Sequence, residues 1–114
     1  MSNKDNSINY IELPMFNNAE TKKFYEQVFE WGFANWGPNY ISFSGANIDG
    51  GFNGDAQVSS PGVLVVLYSK DLNGELESVT KAGGEISMPV YEFPGGRRFH
   101  FRDPNVNELA VWSE

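Results

Sequence analysis

One order of apolar patterns, used twice, narrows the fold more than anything else in these 114 residues. It runs strand, helix, strand, strand, strand, and then starts again. Alternating apolar residues mark a strand with one buried face, and a 3.6-residue stripe marks an amphipathic helix. Residues 8–15 read as a strand with Ile11, Leu13 and Met15 on one face and Tyr10 and Glu12 on the other. Asn17 is placed to cap a helix, with Glu20 three residues on as the returning partner. Phe24, Val28 and Trp31 form its stripe, Tyr25 and Phe29 flank it, and Gly32 ends it. Short strands follow at 33–36, 40–44 and 48–52, with Gly37-Pro38-Asn39 as a turn.

Val58-Ser59-Ser60-Pro61 reads as a linker, after which the grammar repeats. Residues 62–68 form a strand whose near-continuous apolar run predicts cover on both faces. Asp71 caps a second helix, Leu72, Leu76 and Val79 follow helical spacing, and Gly83-Gly84 stop it. Three strands are expected at 85–93, 97–102 and 107–112. In the last pair Phe99 and Phe101 alternate with His100 and Arg102. Asp103-Pro104-Asn105 supplies a turn, and Leu109 and Val111 resume the alternation.

Neither half has enough helix to cover both faces of its own small sheet. Pairing the halves solves this, and predicts an α+β domain of two paired βαβββ modules, about 8–54 and 62–113. The modules form a curved mixed sheet with helices on the convex face. The concave face is left as a cleft, the kind of place where small ligands bind.

The totals exclude several partners. A formal charge of −7 repels phosphate backbones and anionic membranes. Arg97-Arg98, the only adjacent basic pair, reads as a solvated hairpin or a local anion contact rather than a nucleic-acid patch. The absence of cysteine removes disulfides, thiolate metal sites and cysteine nucleophiles, and fits a cytoplasmic protein. No apolar run approaches the roughly 20 residues that span a bilayer. The polar segment 1–7 lacks a signal-peptide core and reads as a disordered lead-in. Asp49-Gly50-Gly51 and Pro94-Gly95-Gly96 read as hairpin turns or bulges, because no lysine or helix start follows them as a phosphate loop requires.

Three segments resemble the vicinal oxygen chelate superfamily, which includes glyoxalase, bleomycin-resistance and extradiol dioxygenase proteins. Residues 8–15 with Phe24-Tyr25 and the helix to Trp31 are similar to that family's strand and Phe-Tyr helix. Residues 65–72 are similar to its apolar strand and Asp-Leu helix start. Residues 101–109 resemble its Asp-Pro-Asp-Gly-Asn turn, with Val106 in place of the usual Gly. The resemblance implies a homodimer with the cleft at or near the subunit interface, and a small organic molecule as ligand. Metal-dependent members use two His and two Glu, or a related set. The resemblance places the first-strand ligand at Tyr10, the fifth-strand ligand at Leu64 and the last-strand carboxylate at Ala110. The remaining one falls near Asp49 to Gly51. Leucine and alanine offer no donor, and a phenol binds cations poorly unless ionised. No metal and no cofactor are therefore expected.

Glu12 and His100 are the candidates for acid–base work. The lone histidine attracts attention through its near-neutral pKa, but a base also needs a positioned partner, and a solvated strand residue is the plainer reading. Glu12 serves as a base if desolvated, or else pairs with Arg98 or Arg102 or stays solvated. Tyr10, Glu12, Leu64, Val66, Tyr68, Ala110 and Trp112 are expected to line the cleft, giving an apolar floor with aromatic edges. Trp31 and Trp36 are expected in packing or dimer contacts. The function these readings favour is small-molecule binding without a metal, by a sequestering protein, a regulatory binder or a metal-free enzyme. One alternative is a metal-dependent lyase or isomerase of the glyoxalase type with a divergent ligand set; another is a purely structural dimer.

Overall fold

The computed structural model describes residues 5, 6, 8–57 and 63–114. Its elements are β1 (Tyr10–Pro14), α1 (Asn18–Phe29), β2 (Gly32–Asn35), β3 (Tyr40–Ser44), β4 (Asp49–Asn53), β5 (Val65–Tyr68), α2 (Leu72–Lys81), β6 (Glu85–Phe93), β7 (Gly96–Arg102) and β8 (Glu108–Ser113). The expected linker at 58–61, the start of the fifth strand at Gly62 and most of the lead-in lie outside the described residues.

Each half makes a four-stranded sheet, in the order β1-β4-β3-β2 and β5-β8-β7-β6. In each, the first strand runs parallel to the last and the remaining pairs are antiparallel. The fold is therefore α+β, two βαβββ modules with one topology. Among the described residues β1 and β5 share no backbone ladder. An apolar groove of about 500 Å³ runs between them.

Local chemistry sets the helix ends. The Asn17 side chain accepts from the Glu20 amide at 2.9 Å, and the Asp71 side chain from the Gly74 amide at 3.1 Å. The stop of α1 differs from expectation. Glu30, not Gly32, takes the left-handed conformation, with φ 59°. Gly32 instead opens β2, where an added Cβ would sit 3.0 Å from Ser44 Oγ. The Gly50-Gly51 pair is also not a turn but the middle of β4. A Cβ on Gly50 would meet the Phe43 ring and the Ile11 carbonyl, and one on Gly51 would meet the Tyr10 and Tyr40 hydroxyls. These glycines make room for rings from neighbouring strands.

The core lies on the helix side. Ile41, Phe52, Phe99, Phe101, Leu109 and Val111 are fully buried there with Tyr25 and Val79. Helix α1 serves both modules. Tyr25 stacks on Trp31 at 4.9 Å and meets Phe52 at 5.0 Å, while Phe24 and Phe29 meet Phe101 at 6.0 and 6.1 Å. Each such ring contributes roughly 1.5–3 kcal/mol on burial, so α1 holds the two sheets on one core. Trp31 is in this core as expected, whereas Trp36 is 70% exposed with its indole N–H on Ser42 Oγ at 2.8 Å.

The turn at 103–107 is a buried staple. Asp103 Oδ1 accepts from the amides of Asn105 and Asn107 at 2.8 and 2.9 Å, and its Oδ2 accepts the Tyr25 hydroxyl at 2.9 Å. Asn107 Nδ2 donates to the Pro14 carbonyl at 2.7 Å, and Asn105 Nδ2 to Thr21 Oγ1 at 3.1 Å. The turn thus grips the junction of β1 and α1. Desolvation pushes the Asp103 carboxyl up, against the opposing pull of its Asn107 and Tyr25 hydrogen bonds. Val106 sits at φ 66°, a region that a β-branched residue rarely adopts.

Candidate functional site

Strand alternation sends one set of side chains away from the helices. On the second sheet these are Arg98, His100 and Arg102 of β7, Ala110 and Trp112 of β8, and Val66 and Tyr68 of β5. The registers align them in rows: Arg98 opposite Trp112 opposite Tyr68, and His100 opposite Ala110 opposite Val66. From β6, Tyr91 lies opposite Arg98 and Met88 opposite His100, with register shifts between them. Val66 and Tyr68 are 41% and 51% exposed. The apolar run of the fifth strand is thus covered on one face only, because no helix reaches the other.

His100 is buried rather than solvated, at 8% exposure. Its Nδ1 lies 3.2 Å from Glu108 Oε2, which also accepts the Ser87 hydroxyl at 2.9 Å. Its Nε2 lies 3.0 Å from the Tyr91 hydroxyl, and Arg98 Nε donates to that same hydroxyl. The ionised carboxylate only accepts, so the network assigns the Nδ1–H tautomer to a neutral His100. Nε2 then accepts from Tyr91, and the chain runs Arg98 to Tyr91 to His100 to Glu108 with both ring nitrogens of His100 partnered. The Ser87 hydrogen bond, followed by that of His100, holds the Glu108 carboxyl below its usual range against desolvation. Aromatic rings border the relay. Tyr68 and Phe93 present edges to Trp112 at 5.1 and 6.2 Å, and the Arg98 guanidinium lies 5.5 Å from the Tyr91 ring centre and 5.7 Å from that of Phe93.

The first sheet gathers a different group. The Tyr10 and Tyr40 hydroxyls are hydrogen-bonded to each other, and Asn53 Nδ2 donates to Glu12 Oε2 at 3.3 Å. Desolvation, then the hydrogen bonds with Tyr10 and Glu12, push the Tyr40 hydroxyl up. Glu12 is exposed and pairs with Asn53; it forms no salt bridge to Arg98 or Arg102. Glu12 and His100, the two acid–base candidates, belong to different sheets. Asp49 lies opposite Tyr10 on β4.

Of the expected lining residues, the ladder brings Val66, Tyr68, Ala110 and Trp112 to His100. Leu64 is half-buried just ahead of β5, outside the ladder. The groove between β1 and β5 has the other parity: it is lined by Ile11, Leu13, Val65 and Leu67, with only Val66 and Tyr68 from the expected set. Sequence reasoning missed Tyr91, Ser87 and Glu108. Glu108 shares the face of Ala110 and Trp112 by simple alternation and was within reach. Tyr91 was not, because the irregularities in β6 break its period of two.

The donors do not fit a divalent ion of the superfamily type. The resemblance assigns Leu64 and Ala110 to two of the ligand positions, and neither side chain carries a donor atom. Among the described residues no three His, Asp or Glu side chains come close enough to share an ion.

No family model and no curated protein matches the sequence. Solved structures do match the fold. A glyoxalase-related enzyme from Fulvimarina pelagi superposes with TM-score 0.78 at 17% identity, over 96% of this chain and 88% of the other. A glyoxalase/bleomycin resistance protein/dioxygenase family enzyme from Burkholderia phytofirmans PsJN gives 0.78 at 16%, over 91% and 95%. The fosfomycin resistance protein FosX from Mesorhizobium loti gives 0.74 at 15%, over 97% and 94%. The two repeated modules, their strand order and these superpositions agree: the chain has the vicinal oxygen chelate fold of the glyoxalase and bleomycin-resistance proteins.

Proposed function

We propose that this chain binds a small organic molecule on its helix-free face without a superfamily-type metal ion. One observation carries the reading: that face leaves Tyr10, Val66, Tyr68 and Met88 each more than two-fifths exposed. The resemblance, which assigns Leu64 and Ala110 to donor positions, supports the absence of a metal. An exposed apolar and aromatic surface rimmed by polar groups is a frequent mark of a binding site. The resistance proteins among the structural neighbours lend support from fold alone. The proposal extends to a cytoplasmic homodimer. The outer edges of β1 and β5, each paired on one side only, and the apolar groove between them support an association that covers both.

The test is a thermal-shift screen of small organic molecules, beside titration with Zn, Ni or Mn and elemental analysis of protein as purified. A ligand at a hundred times its Kd stabilises by about 2.7 kcal/mol, which such a screen detects readily. Saturable one-to-one stabilisation by a metal that also copurifies would overturn the reading in favour of a glyoxalase-type lyase or isomerase. Light scattering on a sizing column reads the dimer, and a monomer at all concentrations would remove that part.

A further inference from the structure

We propose that the Arg98 guanidinium, held by Tyr91 beside the Trp112–Tyr68 aromatic row, recognises a small planar aromatic carboxylate. This deepens the reading above and rests on it, since it places the ligand on the same face.

The first observation is an unpaired cation in an acidic chain. Acidic residues outnumber Lys and Arg 15 to 8. The only salt bridge among the described residues is nevertheless His100–Glu108, so Arg98 has no carboxylate of its own. A guanidinium carries five N–H donors. The Nε–H is committed to the Tyr91 hydroxyl, and the terminal amino groups are left as donors for something else. Their planar fork matches the two oxygens of a carboxylate.

The second observation is that this cation is held in place from behind. Tyr91 donates to His100, and His100, more than nine-tenths buried, donates to Glu108, which Ser87 also holds. Tyr91, His100 and Glu108 are positioning residues: they fix one edge of the guanidinium without touching the ligand. Ordering that long side chain before binding lowers the entropy lost when the anion arrives.

The third observation selects the rest of the ligand. Arg98 lies directly opposite Trp112 on the neighbouring strand, and Trp112 opposite Tyr68. The Phe93 ring links the two, 6.2 Å from the Trp112 ring and 5.7 Å from the guanidinium, so a ring lying against Phe93 and Trp112 carries an attached carboxylate to Arg98. Tyr68, half exposed, walls the far side. One guanidinium with aromatic neighbours suits one carboxylate on a planar ring, and a polyphosphate would find too few cations.

The experiment is isothermal titration calorimetry of the full chain with 2-naphthoate, its neutral amide and acetate. We expect 2-naphthoate to bind one to one, with the amide and acetate weaker by about tenfold or more. Arg98→Gln reduces 2-naphthoate to the level of the amide, Arg98→Lys restores part of it, and Arg97→Gln on the same strand changes it by less than about twofold. The Arg98 Nε–H resonance, protected in the wild type, exchanges with water in Tyr91→Phe, a change that a merely structural tyrosine would not produce. Circular dichroism checks that each variant folds. Equal binding of naphthoate and its amide sinks the carboxylate claim but leaves the function proposed above standing. Absence of naphthoate binding to the wild type overturns the inference, and so does unchanged affinity in Arg98→Gln.

Discussion

The connection between β3 and β4 and the connection between β7 and β8 occupy equivalent places in the two modules, with opposite chemistry. Residues 45–48 are exposed or half-buried and border the groove between the edge strands. In the other turn Asp103, Asn105 and Asn107 are buried and hydrogen-bonded to the β1–α1 junction. Each connection carries one non-glycine residue in the left-handed region, Asn47 at φ 65° and Val106 at φ 66°. The helix-free faces diverge in the same way. Both sheets present phenols and a carboxylate, but only the second adds an imidazole and guanidinium groups. The inner strand keeps a small residue on that face in both, Gly51 and Ala110. Repetition preserved what the backbone and the shared core demand and left the polar surfaces free to specialise.

The sharpest way to break this comparison is Asp103→Ala. It strands the Tyr25 hydroxyl and the Asn105 and Asn107 groups in the core, and an orphaned buried partner costs about 1–3 kcal/mol. We expect a loss of about 3 kcal/mol or more in urea unfolding. Alanine at Asn47 should cost less than about 1 kcal/mol. Equal losses at the two turns would mean that the second is no staple.

A smaller effect tests the left-handed pair. Val106→Asn should gain about 1 kcal/mol, since asparagine tolerates this conformation and valine does not, and Asn47→Val should lose a similar amount. Melting temperatures of the two variants and their combination read this directly. A stabilised Asn47→Val would show that the equivalence is only topological.

The smallest effect is in pH. The Glu108 carboxyl lies below its ordinary value in the folded chain, so the folded state binds its proton less readily than the unfolded. Its contribution is present above the ordinary carboxylate pKa and lost as the pH falls through the lowered one. Glu108→Gln should therefore lower stability above the carboxylate range by a constant amount and flatten the acid side of the stability profile. An unaltered acid limb would mean that Ser87 and His100 do not hold the carboxylate in solution.

Signals confined to a few neighbouring residues were readable without coordinates. Asn17 and Asp71 cap their helices as expected, Gly83 closes the second at φ 94°, and the parity of β1, β7 and β8 is as alternation dictates. What was not readable depends on partners distant in sequence. Gly50-Gly51 reads as a turn until the Phe43, Tyr10 and Tyr40 rings are seen to need that space. The apolar run at 62–68 reads as covered on both faces until Val66 and Tyr68 are found 41% and 51% exposed on the side without helices. His100 reads as solvated until Tyr91 and Glu108 close over it. The candidate site was legible as a set of strand faces, but its working contacts were not.

The grip of the closing turn on the first helix has a consequence for biogenesis. Tyr25 and Asp103 are 78 residues apart, and Thr21 and Asn105 are 84. Such distant pairings are slow to form, because loop closure precedes any reward. The helix therefore seats fully only once residues 103–105 have been made, and until then its second-module aromatic surface has no partner.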